Sequence, residues 1–195
     1  MSASSAVIII GVGGKVGSHV AKAFAAKASD GHSSPADDLL SLSVEDASRN
    51  YAVNNTLSAV AAAQQAAHSC ATLPATASST FVYTGTCMNI EPIAPLLSAG
   101  MGKSATAHLI ASATQVYSGH GYKYVLLLRM IVDHIRFYYA HERKANGAPV
   151  YDAIDGRAHG EFYVQLSEGE KCCPWLATFV KNVGYVDFAK GSSAG

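Results

Sequence analysis

Charge is scarce in this chain of 195 residues: 14% are charged, and 14 Lys and Arg balance 14 Asp and Glu. A neutral surface lacks the electrostatic footprint of a nucleic-acid binder, and it lacks the basic face that anionic membranes attract. Cysteine is equally sparse. Cys70, Cys87, Cys172 and Cys173 have no metal-type spacing, and the adjacent pair suits neither a structural disulfide nor a zinc clamp. The cysteines are expected to be reduced thiols, and because only Lys171 is near enough in sequence to activate the Cys172–Cys173 pair, that pair is expected to be buried or inert. No uncharged apolar run reaches the ~20 residues of a membrane span. The longest concentration, Tyr122 to Tyr139, is broken by Lys123, Arg129, Asp133, His134 and Arg136, which makes it a buried element of the fold. The opening residues lack the basic region of a secretory leader, so a cytoplasmic protein is expected. There is no Gly-x-Ser-x-Gly elbow, no His-Glu-x-x-His and no repeat period. His134 and His141 lie seven apart, and His108 and His120 twelve apart, so no metal site is expected. These histidines are expected at the surface or with hydrogen-bond partners.

What is present is globular. Apolar residues make up 49% of the chain, enough for one domain over residues 1–195 that buries roughly 70% of its unfolded surface. The most informative stretch is Val7-Ile8-Ile9-Ile10-Gly11-Val12-Gly13-Gly14-Lys15-Val16-Gly17. A β-branched strand feeds a glycine turn that opens onto an Ala-rich helix, the arrangement that holds a nucleotide pyrophosphate. Gly11 allows the sharp turn. Gly13 and Gly14 let backbone N–H groups near the phosphates, and Gly17 lets the helix pack on the strand. The helix N-terminus, at Lys15 and Val16, adds free donors and partial positive charge.

The pattern predicts a strand at 6–10 and a helix from about Gly14 to Ala28, with Val16, Val20, Ala23 and Phe24 on one stripe. Residues 29–38 have loop chemistry. A second helix is expected from Ser43, capped with Asp46, to about Cys70. Thr80–Thr84 is a buried-type strand, followed by a loop marked by Pro92 and Pro95. A third helix is expected over Lys103–Tyr117, ended by Gly119 and Gly121. Tyr122–Leu128 fits a central strand, and fits equally the start of a buried helix reaching Tyr139. Asn146-Gly147 is a turn, and Ala158–Leu166 and Trp175–Val183 are two late helical segments. The stripe of Trp175, Phe179, Val180 and Tyr185 packs into the core or covers a sheet edge. Alternating strands and helices indicate an α/β parallel sheet.

In this order the motifs resemble the short-chain dehydrogenase/reductase family. The resemblance is carried by Gly11–Gly17, by Tyr51-Ala52-Val53-Asn54-Asn55 in a helix, by the strand Phe81–Thr86 and by Gly102-Lys103-Ser104-Ala105 opening a helix. It spans residues 6 to about 120. It implies a Rossmann-like sheet flanked by helices and an oxidoreductase using NAD(P) on a small carbonyl or alcohol. Asn54 matches the family's asparagine, Lys103 its lysine, and Thr86 stands at its serine. Gly11, Gly13, Gly14, Lys15, Val16, Gly17 and Lys103 match its cofactor contacts. Lys15 replaces the usual middle glycine; against a phosphate it would favour NADP over NAD, and otherwise it is a solvated first-turn lysine. By the same resemblance, dimers or tetramers through the flanking helices and the C-terminal strand are expected.

The chain departs from the family in two ways. The position of the catalytic tyrosine is Ala99, which has no proton to give, unless Tyr83 or another group substitutes. The family's second, third and fourth strands would fall between Lys27 and Leu39, where none can be fitted, so the fold is a reduced one lacking part of the first dinucleotide-binding half. Asp30, Asp37 and Asp38 lie near the ribose-reading position but in a loop. Without the fourth strand, the first strand and Phe81–Thr86 must pair directly or leave open edges. These departures support an alternative: a shortened, catalytically silent nucleotide-binding or interaction protein. Gly100-Met101-Gly102-Lys103-Ser104 is half of a phosphate-binding P-loop, but Leu97 stands where its first glycine belongs.

Overall fold

The computed structural model describes residues 5–11, 38–48, 51, 55–71, 78–117, 135–169 and 173–188. Among these, one five-stranded sheet runs β1 (Ser5–Gly11), β2 (Ser78–Thr84), β3 (Ile135–Arg143), β4 (Leu176–Val180) and β5 (Gly184–Tyr185), in that spatial order. The first three ladders are parallel and the last, β4 with β5, is antiparallel. The helices are α1 (Val44–Ser48), α2 (Ser58–Cys70), α3 (Leu97–Tyr117) and α4 (Gly156–Glu168). This is the expected α/β class, a reduced Rossmann-like sheet. The direct pairing expected of the first two strands is there, from Ser5 with Ser78 to Gly11 with Thr84.

Strand periodicity divides the core in two. Phe81 and Tyr83 of β2 and Phe137 and Tyr139 of β3 face Ala59, Ala63 and Ala66 of α2 and Ala107 and Ile110 of α3. Val82, Tyr138 and Ala140 face the other way, onto Ala158, Phe162, Tyr163 and Leu166 of α4 and Ala177 and Phe179 of β4. Burial on both faces is why the middles of these parallel strands, Phe81–Tyr83 and Phe137–Ala140, are apolar without alternation. The small residues of α2 let it lie close on large aromatic rings. Asp155 caps α4, its Oδ1 accepting from the Arg157 and Ala158 N–H groups at 2.9 and 3.0 Å. Gly169 ends that helix at φ 70°, the left-handed conformation glycine tolerates.

Several expectations are corrected. Trp175–Val183 is no helix: Leu176–Val180 pairs with β3 from Tyr139–Leu176 to Arg143–Val180 and is buried from Ala177 onward. Its aromatic and β-branched residues suit a central strand, and the sheet overrides a short apolar pattern that fits either state. A helix reaching Tyr139 is likewise overturned, because Ile135–Arg143 is strand. The helix expected over 43–70 is divided into α1 and α2, with wide π-type turns at residue 51 and at 55–57. Its capped start is as expected: Asp46 N–H donates to Ser43 Oγ at 3.1 Å, and Ser43 Oγ donates to Asp46 Oδ2 at 2.9 Å. Helix α3 begins at Leu97, six residues earlier than Lys103. Gly100 and Gly102 lie inside it, and Gly102 is required by packing, since a Cβ there would collide with Asn55. No loop exists at 100–104 to cradle a phosphate. Asn146-Gly147 is a turn as expected, with Gly147 at φ 83°. The helix expected at 14–28 and the element at 122–134 lie outside the described residues. No helix among the described residues is long and apolar enough to cross a membrane.

Candidate active site

The carboxyl ends of β1, β2 and β3 emerge on one edge of the sheet, the edge where open parallel sheets bind ligands. A cavity of about 290 Å³ opens there. Its walls come from Gly85–Met88 after β2, from His141 and Glu142 of β3, from Ile93 and Leu96, from the segment 149–154, and from His159 of α4. Met88, Ile93, Leu96, Pro149, Val150 and Ile154 make an apolar wall, beside the polar side chains of Thr86, His141, Glu142, Tyr151 and His159.

Thr86 stands half-buried at the mouth. Its Oγ accepts from the Met88 N–H at 3.3 Å, capping a 3-10 turn over Cys87–Asn89, so its own proton remains available for donation. The Thr86 backbone is held from below: its N–H donates to Tyr139 Oη at 3.1 Å, and that hydroxyl donates to the Thr86 carbonyl at 3.1 Å. Gly85 is required here, because a Cβ would lie in the Tyr139 ring.

Lys103 points into the core. It is 3% exposed, and its Nζ donates to Tyr83 Oη at 3.0 Å while lying 4.8 Å from the Tyr83 ring centre. Burial pushes this amine down to about 7 and pushes the Tyr83 phenol well above its ordinary range, with Thr106 pulling it partly back. Lysine and phenol thus share one proton-rich, water-poor contact. Neither lines the cavity.

A polar cluster borders the cavity at Glu142 and His159. Glu142 Oε2 accepts from the Asp155 N–H at 2.9 Å and lies 3.5 Å from His159 Nδ1. His159 Nδ1 is also 2.8 Å from the Asp155 carbonyl, and Thr84 Oγ1 is 2.7 Å from Tyr163 Oη. Arg143 donates to the Gly147 carbonyl at 3.1 Å and pairs with Glu91. His141 is different. It is 1% exposed, its ring stands edge-on 6.0 Å from Tyr139, and neither ring nitrogen has a hydrogen-bond partner. The expectation of a surface or satisfied histidine fails at this position. Among the described residues no cluster of three metal-ligating side chains occurs.

Of the residues singled out in the sequence, Thr86 lines the cavity and Lys103 sits beneath the sheet edge, against Tyr83 rather than in the cavity. Gly11 ends β1 level with Thr84, so its backbone reaches the same edge. Gly13, Gly14, Lys15, Val16, Gly17 and Asn54 lie outside the described residues. Asn55 is buried, and its carbonyl accepts from the Thr106 hydroxyl of α3. Asp38 is exposed at the foot of a short 3-10 turn. Ala99 is in α3, one turn before Lys103. Glu142, His159 and the buried role of His141 were missed. Their signal was available in His141-Glu142-Arg143, three polar residues that follow the apolar run Phe137–Ala140 in one strand.

A mostly parallel α/β sheet with a cavity at its carboxyl edge, and a lysine–tyrosine contact outside that cavity, defines a Rossmann-like α/β protein. A known relative specifies the family. The short chain dehydrogenase/reductase dmxR12 of Cryptosporiopsis sp. (strain 8999) is 44% identical over 134 residues, 69% of this chain and 49% of that protein. This chain belongs to the short-chain dehydrogenase/reductase family. It spans about half the length of that relative. No family model and no solved structure matches it.

Proposed function

We propose that this protein is an NAD(P)-dependent oxidoreductase acting on a small carbonyl or alcohol at the cavity beside Thr86. The observation that carries the reading is the buried Lys103, held 3.0 Å from a phenol in the helix where the resemblance puts the family's lysine. A buried amine is unfavourable for folding, and strongly shifted groups cluster where chemistry is done. The register supports a dinucleotide there: Gly11 ends β1 beside Thr84, on the edge where Thr86 stands. When bound, NAD(P) supplies or takes the hydride. Gly11 to Gly17 would receive its phosphates, and Lys15 favours NADP. Thr86 donates to the substrate oxygen. Lys103 donates to Tyr83 Oη, and because both lie outside the cavity Thr86 is the one proton donor this reading places at the substrate. Cytoplasmic action and a homo-oligomer belong to the same reading; light scattering during chromatography checks the latter.

Calorimetry with NADPH and NADH, beside a Gly13→Asp control, tests this, followed by turnover on a carbonyl panel. Micromolar binding abolished in the control, with turnover, supports it. No nucleotide binding by a cooperatively folded protein overturns it. A second reading, a silent binding protein, is favoured by Ala99 and by the complete burial of Tyr83. Activity appearing only in Ala99→Tyr would select it.

A further inference from the structure

The cavity wall holds one charged side chain that hydride transfer does not use. Among the described residues no Lys or Arg lines the cavity, and Glu142 is the one carboxylate that does. Its hydrogen bonding ends on a single oxygen. Oε2 accepts from the Asp155 N–H at 2.9 Å and lies 3.5 Å from His159 Nδ1, which is closer, at 2.8 Å, to the Asp155 carbonyl. Oε1 has no such partner among the described residues, and unlike both His141 nitrogens it is not sealed off from the cavity. The Glu142 side chain as a whole is only 4% exposed. Nearby cations are engaged elsewhere: Arg143 with Glu91 and the Gly147 carbonyl, Lys181 with Asp155. His141 adds no charge, because burial pushes its imidazole down to about 3, with Arg143 and His159 acting in the same direction. A carboxylate so far out of water needs a positive partner, and the cavity is the side from which one can come.

Tyr151 suits the same ligand. It lines the cavity while 59% exposed, and its backbone is at φ 49°, a left-handed conformation that a bulky residue adopts only under constraint. An aromatic ring sharing a cavity with a carboxylate offers a second surface to a cation. Volume sets the size. An apolar cavity of ~150 Å³ takes up benzene, and this one, at about 290 Å³, is roughly twice as large. We propose that the cavity binds an apolar primary amine with a hydrocarbon part of about two fused rings, its ammonium on Glu142 Oε1 and its rings against Met88, Ile93, Leu96, Val150 and Ile154. As a binding site this stands apart from the oxidoreductase reading. As the enzyme's substrate class, an amino ketone or amino alcohol whose oxygen meets Thr86, it rests on that reading.

The test is a fluorescence titration of the full chain without nucleotide, at neutral pH, with three probes of one shape. They are 2-(aminomethyl)naphthalene, the neutral 2-(hydroxymethyl)naphthalene and the anion 2-naphthoate. The amine is expected to bind at least tenfold tighter than the alcohol, and the anion not to saturate. Glu142→Gln keeps the shape and an acceptor for the Asp155 N–H, so it retains alcohol binding and loses the preference. Should that variant fail to fold, Ile154→Trp decides: it fills the cavity from the apolar wall and must abolish amine binding. Equal affinities for amine and alcohol, no saturable amine binding, a preference that survives Glu142→Gln, or amine binding untouched by Ile154→Trp would overturn the proposal. Nucleotide calorimetry separates the two readings. Amine preference without nucleotide binding sinks the oxidoreductase and keeps this site, and the reverse result does the opposite.

Discussion

Lys103 offers the sharpest test of the structure, because its burial has a consequence in the pH dependence of stability. In the unfolded chain the amine keeps its ordinary value of 10.5, and in the fold it lies at about 7. Between those values the unfolded state holds more protons, so stability must rise with pH through that window. Below pH ~7 both states are charged, above pH ~10.5 both are neutral, and the contribution is flat on either side. At ~1.4 kcal/mol per tenfold change, the full interval corresponds to about 4–5 kcal/mol, with a limiting slope of ~1.4 kcal/mol per pH unit. Lys103→Met keeps the length of the side chain and removes the titration. It also removes the hydrogen bond to Tyr83, a loss of about 1–3 kcal/mol when a buried partner is stranded, but that loss is constant in this range. Urea melts of both proteins at pH 7, 8 and 9, followed by circular dichroism, measure the difference directly. The thiol of Cys87, raised by burial, opposes the trend as pH rises, yet it is present in both proteins and cancels. The unaltered protein is expected to gain on the variant by more than ~1 kcal/mol between pH 7 and 9. Parallel curves would mean that the amine titrates as if solvated, and the buried pair with Tyr83 would be wrong.

Three further outcomes follow from packing and capping. Gly85→Ala must displace the Tyr139 ring and release its two bonds to Thr86. Overpacking of ~1–3 kcal/mol and about 1 kcal/mol per bond give a loss of roughly 3–5 kcal/mol, read from the urea midpoint at constant slope; a loss under ~1 kcal/mol contradicts the contact. Phe162→Ala removes a ring stacked 4.4 Å from Phe179, and a drop of ~3–5 kcal/mol is expected in the same assay. The Lys181 amine, followed by the Ala158 N–H, holds the Asp155 carboxyl down to about 2. Its folded value is depressed, so its contribution is present above pH ~4 and fades as pH falls toward 2. Thermal melts should show Asp155→Ala less stable at pH 7, with the gap to the unaltered protein closing as pH falls from 4 to 2.

The legible parts of the fold were those with strong local signals. Thr80–Thr84 stands out as a strand because Phe81, Val82 and Tyr83 are buried on alternating faces, and β2 extends it by only two residues. Ser43 and Asp46 announce their cap by chemistry alone. Leu176–Val180 misled because a five-residue segment with four apolar side chains fits helix or strand alike; only the β3 ladder decides, and that partner is some forty residues away in sequence. The two glycines of α3 looked like a helix boundary. They are tolerated because Gly102 must admit Asn55, a tertiary requirement no local window contains. At the site, Thr86 and Lys103 were found by resemblance, whereas the orientation of Lys103 toward Tyr83 depends on how α3 lies across β2. His141 illustrates the opposite limit: nothing in its neighbours along the chain says whether a partner will reach it.

The sheet topology also bears on the order of assembly. Its ladders join residues ever closer along the chain: Ser5 with Ser78, 73 apart; Ser79 with Ile135, 56 apart; Tyr139 with Leu176, 37 apart. Closing the longest of these loops rather than the shortest costs only ~0.6 kcal/mol more in chain entropy, but non-local pairing of this kind slows folding. The C-terminal ladder is therefore expected to form first and β1 last. Pulse-labelled hydrogen exchange would show it as late protection of the Ile8–Ile10 amides relative to those of Tyr139–His141. The strand that carries Gly11 to the ligand-binding edge is then the final piece fitted, and the chain completes its pocket wall before its proposed nucleotide edge.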